Sequence, residues 1–363
     1  MRRRLNRRER KKQKQIMIFS IIGIFCFLSV GYATYGSSFL VSGKGTIISK
    51  PITIEELKVK VVTSGDGLYK DSYETDRYIY RGGSPNNYLN LEGQIYRIVS
   101  IEKDNVVKVI KQERSELVLF DLGYETSVSG ITNANSITGT RYSNSNNDYC
   151  YSGGSETAYY GCSAWGSKTT TLDTNGNNVT TMPKPAGSTN LYNLPTSEAY
   201  LNTYLNTTFY DSLSSNIKNK IVKYEFNIGP LGRNSGQTLE TDIAQEKAYK
   251  WKGNIGLITQ TDYLKASINP ACTSIYESFA TSSCYSDSST HNYLFNSMYE
   301  WTITPYSSPS ADSARVWSIL LYGDFYGVNA STGTQNYYRP SFFLSSDIKL
   351  TGTGTEDNPY VIA

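Results

Sequence analysis

Gly253-Asn254-Ile255-Gly256-Leu257-Ile258-Thr259-Gln260-Thr261-Asp262-Tyr263-Leu264-Lys265-Ala266 is the stretch that decides the fold class. Its first half, through Thr259, reads as a strand, and that strand runs straight into a helix near Thr261 to Ala266. Upstream, the chain has the period of helices. Thr241 to Trp251 reads as one and Asn216 to Lys223 as another; after Pro195, the residues Leu201, Tyr204, Leu205 and Phe209 share one face, with Thr196 or Ser197 placed to cap it. Outside this helical middle the pattern is β on both sides. N-terminally stand Tyr78-Ile79-Tyr80, Tyr88 to Leu91, Gln94 to Ile101 and Val106 to Lys111, with breaks at Glu92-Gly93 and Lys103-Asp104-Asn105 suited to short antiparallel turns. C-terminally stand Trp301-Thr302-Ile303, Ala314 to Tyr322, a turn at Gly323 to Gly327, and Tyr337 to Leu344. Strands at both ends with helices between predict an α+β domain of antiparallel strands and two to four short helices, whose termini pair.

Between the two halves, residues 126–190 differ in composition. Of their 65 positions 39 are Ser, Thr, Asn or Gly and six are charged, too little apolar material for a core of their own. They read as a surface insertion with Trp165 as the large anchor, either a ligand-facing region or a solvated loop.

Charge and hydropathy fix the expected topology. The 363 residues carry 35 Lys plus Arg and 32 Asp plus Glu, but residues 1–15 hold nine basic side chains and one acid. The remainder, with 26 basic against 31 acidic residues, is mildly acidic, which excludes nucleic-acid binding by the folded part. Residues 16–35, IMIFSIIGIFCFLSVGYATY, hold no charge and at ~1.5 Å per residue are long enough to span a bilayer as a helix. The basic run before it orients this helix with the N-terminus cytoplasmic. The expected order is a basic cytoplasmic tail at 1–15, a transmembrane signal anchor at 16–35, a stalk or small β element at 36–76 and an extracytoplasmic domain at 77–363. Gly31-Tyr32-Ala33 also fits a signal-peptidase site, so cleavage after Ala33 stays open. No second hydrophobic tail follows Asn358 to Ala363, so no C-terminal anchor is expected.

Cys26 lies in the predicted span, leaving Cys150, Cys162, Cys272 and Cys284 outside, in two pairs of equal spacing. An even number in an oxidising compartment predicts bridges Cys150 to Cys162 and Cys272 to Cys284. A metal site is the weaker alternative, since His291 has no partner histidine and no zinc spacing is present; no metal or cofactor is expected. His291 stands beside neither a nucleophile elbow nor a close acid, so no catalytic constellation is assigned. Gly65-Asp66-Gly67 and Thr351 to Thr355 lack the lysine and helix of a phosphate loop. Glu356, Asp357 and Asn358 suit a turn better than a calcium loop.

The aromatic content, 31 Tyr, 12 Phe and 4 Trp, suits carbohydrate or protein surfaces as well as a β-rich core. Tyr322, Asp324, Tyr326 and Asn329, around a glycine-bounded turn, are candidate ligand contacts. Trp301 and Trp317 are further candidates, with a core role favoured for both.

Trp251 to Thr259, then Trp301-Thr302-Ile303-Thr304-Pro305, then Tyr338-Arg339-Pro340-Ser341-Phe342-Phe343-Leu344 and the ending Gly352-Thr353-Gly354-Thr355-Glu356-Asp357-Asn358-Pro359-Tyr360 resemble, in order, a domain of unknown function of exported Gram-positive proteins. Tyr78 to Gly83 and Gln94 to Val99 are similar to that family's first strands, so the resemblance covers residues 77–362. It implies a divergent C-type-lectin-like fold, related in architecture to formylglycine-generating enzymes, and a location rather than a reaction; the cysteine and metal chemistry of those enzymes is not carried over. The expectation is a membrane-anchored surface binding protein, held in the lipid bilayer by 16–35, whose ligand is a glycan, wall component or protein. A surface-fibre subunit is the alternative, and an enzyme on surface polymers a more remote one.

Overall fold

The computed structural model describes Lys12 and residues 50–121, 149–150, 162–183, 189–232, 236–274, 282–285, 288–307, 315–330 and 335–363. The expected span at 16–35 and residues 126–148, 151–161 and 184–188 of the polar region lie outside the described residues. Among the described residues no helix is long and apolar enough to cross a membrane.

The domain is α+β, mostly sheet with short helices. Strand β1 (Ile52–Thr53) leads into helix α1 (Ile54–Lys58), whose capping box pairs Thr53 with Glu56. Strands β2 (Gly67–Lys70), β3 (Tyr78–Arg81), β4 (Tyr88–Leu91), β5 (Gln94–Ile101) and β6 (Val107–Lys111) follow. The β4–β5 hairpin turns on two residues, Glu92 and Gly93, both at positive φ, and Asn90 Oδ1 accepts from Gly93 N at 2.7 Å. That backbone matches the right-handed twist of the strands, and the second position tolerates it because it is glycine. β5 pairs with β4 along its first half, with β3 at its end and with β6 on its other edge, all antiparallel.

Strands β7 (Thr171–Leu172), β8 (Thr181–Pro183) and β9 (Leu191–Asn193) come from the polar region and its sequel. β7 pairs with the later segment Lys250–Gly253 and β8 with β9, and Tyr149, Ala164, Met182 and Leu194 form a small apolar cluster there. Three of these come from the polar region and Leu194 from the stretch after it, so the cluster forms with residues outside the region. Tyr149, Ala164 and Met182 come from short stretches that the Ser/Thr/Asn/Gly count averages away.

Helix α2 (Tyr200–Tyr204) continues through a π turn (Leu205–Phe209) into α3 (Tyr210–Ser212), burying Leu201 and Leu205. Neither Thr196 nor Ser197 caps it. Asp121, 79 positions away, accepts from Tyr200 N at 3.0 Å through Oδ1 and from Cys162 N at 2.7 Å through Oδ2. Helix α4 (Ser215–Lys218) gives way to β10 (Ile221–Val222), β11 (Tyr224–Asn227) and β12 (Leu231–Gly232). Helix α5 (Leu239–Lys247) ends before Trp251, which lies in β13 (Lys250–Gly253) and pairs with Phe226. The expected helices at 216–223 and 241–251 are thus shorter than their apolar patterns, because the residues after each join a sheet.

The opening stretch behaves as read: β14 (Ile255–Gly256) runs into helix α6 (Gln260–Ala266), capped by a reciprocal Thr259–Asp262 box. Helices α7 (Ser282–Tyr285) and α8 (Ser288–His291) precede β15 (Glu300–Ser307), β16 (Arg315–Ile319), β17 (Phe325–Asn329), β18 (Ser341–Leu344), β19 (Lys349–Thr351) and β20 (Tyr360–Ile362). The main sheet runs β1-β19-β20-β4-β5-β6-β18-β10, with β14 also on β18 and β2 on β3. The two ends of the domain meet in it, since β20 lies parallel to β4 and β19 bridges β20 to β1. A second sheet has the order β12-β15-β16-β17. Phe120, Trp165 and Trp301 pack between elements in tilted and edge-on contacts, Phe120 lying 5.7 Å by centroid from each indole. Both predicted disulfides, Cys150–Cys162 and Cys272–Cys284, are formed.

Candidate binding site

The densest group of charges surrounds Arg77, just before β3. Four of its five guanidinium N–H groups are hydrogen-bonded and each of its three nitrogens lies beside a carboxylate. Nε faces both Glu102 oxygens at 3.0 and 3.2 Å; Nη1 faces Asp71 at 2.8 Å and Glu74 at 3.4 Å; Nη2 faces Asp262 and Ser100 Oγ at 3.2 Å each. Lys108 from β6 reaches the other Asp262 oxygen at 2.5 Å, and Lys265 from α6 pairs with Asp71 and Glu74. Burial alone would raise the Asp262 carboxyl, but Lys108 and Arg77 overcome it and hold the group well below the ordinary carboxylate range. The same opposition brings Glu74 down to about 2, with Arg77, Lys265 and Lys247 outweighing burial.

Above this network lies a cleft of about 480 Å³, rimmed by Tyr73, Lys103, Tyr224, Lys247 and Lys250. Its rim charges are largely committed as well: Lys247 to Glu74 at 2.8 Å, Lys250 to Glu225 at 2.7 Å, and the Tyr224 hydroxyl to Asp104 at 3.1 Å. Arg77 is buried and each of its three nitrogens faces an acidic partner, so it joins β3 and β5 to α6 rather than recognising a guest. Sequence reading missed this group, because its members are scattered from Asp71 to Lys265 and no local spacing links them.

The second face contains the sequence-predicted candidates. The turn after β16 closes through Leu320 N to Asp324 O at 2.8 Å and Gly323 N to Leu320 O at 2.9 Å. Gly323 has φ +89°, and a Cβ there would strike Ser288 Oγ and crowd the Tyr263 hydroxyl, so glycine brings the turn down onto α8. This projects Tyr322 outward, 69% exposed, at the edge of a depression of about 540 Å³. Tyr285, Phe295 and Leu321 supply its apolar walls and Ser288, Ser289 and Ser297 its hydroxyl-bearing positions. Asp324 is half-buried beneath the same turn, and burial raises its carboxyl above the usual value.

Tyr326 and Asn329 do not join this depression. Both lie along β17, Tyr326 exposed and Asn329 accepting from Arg315 Nε at 3.3 Å. Trp301 and Trp317 are fully buried, their indole N–H groups donating to Val118 O at 2.8 Å and Leu231 O at 2.9 Å, so the favoured core role is the one their surroundings support. His291 ends α8 with Nδ1 2.9 Å from Thr290 Oγ1. Among the described residues no group of three His, Cys, Asp or Glu lies together to hold a metal ion. The Glu356 to Asn358 segment is a turn in which Asn358 O accepts from Thr353 N and Gly354 N.

Protein-family models, curated proteins and solved structures contain no match to this chain.

Proposed function

We propose that the chain is a membrane-anchored, cell-surface binding protein with a C-type-lectin-like extracytoplasmic domain, and that its ligand is a glycan or wall polysaccharide taken up in the Tyr322 depression. The observation that carries this reading is the combination on one concave surface of an exposed tyrosine, two further rings and three serine residues. Sugar rings offer an apolar face and a rim of hydroxyls, and a flat aromatic side chain beside short polar ones answers both. The basic run at 1–15 and the uncharged segment 16–35 support the anchored topology.

The test uses the full chain in detergent, because truncation within 50–66 would remove β1 and α1 from the sheet. Saturable binding to glycan or cell-wall fragment arrays is expected, falling at least tenfold, about 1.4 kcal/mol, in Tyr322→Ala and unchanged in Tyr326→Ala. Folded protein that binds no fragment, or binds equally well without Tyr322, removes the support for this site.

A further inference from the structure

Lys58, Asn105 and Glu55 form a cluster outside both surfaces just described. Glu55 and Lys58 share one face of α1, three positions apart, and Asn105 occupies the β5–β6 turn at φ +65°. Lys58 Nζ donates to Asn105 Oδ1. Asn105 Nδ2 donates to Glu55 Oε1 at 2.6 Å, and that same oxygen lies 3.3 Å from Lys58 Nζ. The lysine side chain is only 10% exposed, with Nζ 5.3 Å from the centre of the Tyr78 ring, whereas the Glu55 side chain is 67% exposed and meets it from the solvent side. An amine, a carboxamide and a carboxylate therefore meet pairwise, brought together from positions 47 apart. Such fixed proximity replaces a bimolecular encounter with an intramolecular one.

From this geometry we propose that Lys58 and Asn105 become joined by an isopeptide bond. Lys58 Nζ gives one proton to the Glu55 carboxylate and attacks Asn105 Cγ, forming the new C–N bond. Its second proton passes to Nδ2, the Cγ–Nδ2 bond breaks, and ammonia leaves, taking the first proton back from Glu55 as ammonium. An ammonium side chain and a primary carboxamide thus become a secondary amide and ammonium ion, with Glu55 restored, no change in oxidation state and no added reagent. Lys58 is the nucleophile, Asn105 the electrophile and Glu55 the proton carrier. The bond ties α1 to the β5–β6 hairpin, so that force entering the chain ahead of β1 reaches the centre of the main sheet through a covalent link.

Intact-mass measurement on the reduced full chain tests this directly. The expected mass is lower than that of the sequence by one ammonia molecule, with a proteolytic fragment in which the Lys58 and Asn105 peptides are linked. Lys58→Arg and Glu55→Gln should each restore the full mass while leaving the circular dichroism spectrum unchanged. The full sequence mass in the unaltered protein overturns the proposal. So does a mass deficit that persists in Lys58→Arg, because it would mark a cyclic imide at Asn105 that needs no lysine.

Discussion

Arg77 Nη2 donates to Asp262 Oδ1 at 3.2 Å although 185 positions separate the two residues. This contact joins the start of the first meander to the helix that follows β14, and it sits within a buried set of charges in which each partner offsets the desolvation of the other. Asp262 also accepts from Lys108, and it closes the α6 cap by accepting from Thr259 N at 3.1 Å.

Replacing Asp262 by Asn keeps the shape but leaves Lys108 and one arm of Arg77 facing a neutral amide. Removing one member of a buried pair costs about 3–5 kcal/mol, since the remaining charge stays desolvated. Urea unfolding of Asp262→Asn at neutral pH is expected to show a loss of that size. A loss below about 1 kcal/mol, the range of exposed ion pairs, would mean that water reaches the network and that it does not hold β3 to α6.

Asp121 acts at a distance in a different way. Its two oxygens serve two backbone donors, Tyr200 N at the start of α2 and Cys162 N beside the first disulfide, and the residue is fully buried. Asp121→Ala leaves both N–H groups without this acceptor, and the expected loss is about 2 kcal/mol in chemical unfolding, the upper end for a helix cap. Asp121→Asn, which keeps one acceptor oxygen, is expected to lose less. Equal losses in the two variants would assign the effect to packing rather than to the hydrogen bonds.

The residues that could be read from sequence are those whose partners are close in the chain. Glu92-Gly93 announced its hairpin, Gly253 to Ala266 its strand and helix, and each cysteine pair its bridge, because two-residue turns, hydrophobic periods and short loops are local properties. The distant cap on α2, the charge network and the early stop of α5 were not legible. Thr196 and Ser197 had the right chemistry for a cap, but Asp121 took the position from another segment. Trp251 fitted the helical period, but its place opposite Phe226 in a sheet was decided by tertiary packing. The candidate site was legible in part: Tyr322 and Asp324 share a turn as the glycines suggested, while Ser288 and Phe295 reach that depression only through the fold.

Glu246 gives the fold a pH dependence of opposite sign to that of Glu74 and Asp262. The side chain is fully buried at the N-terminus of α6, accepting from Gln260 N at 3.0 Å, from Thr304 Oγ1 at 2.8 Å and from the Thr261 hydroxyl. Burial raises its pKa from 4.5 to about 7, outweighing those hydrogen bonds. Between these two values the folded state retains a proton that the unfolded chain has released, so stability falls as pH rises from about 4.5 to about 7 and is level in this respect above that. Glu246→Gln keeps an acceptor for Gln260 N and cannot titrate. The expected result is that the variant's melting temperature, relative to that of the unaltered protein, is higher at pH 8 than at pH 5. A difference between the two proteins that stays constant across this interval would show that Glu246 ionises in the fold as it does in water.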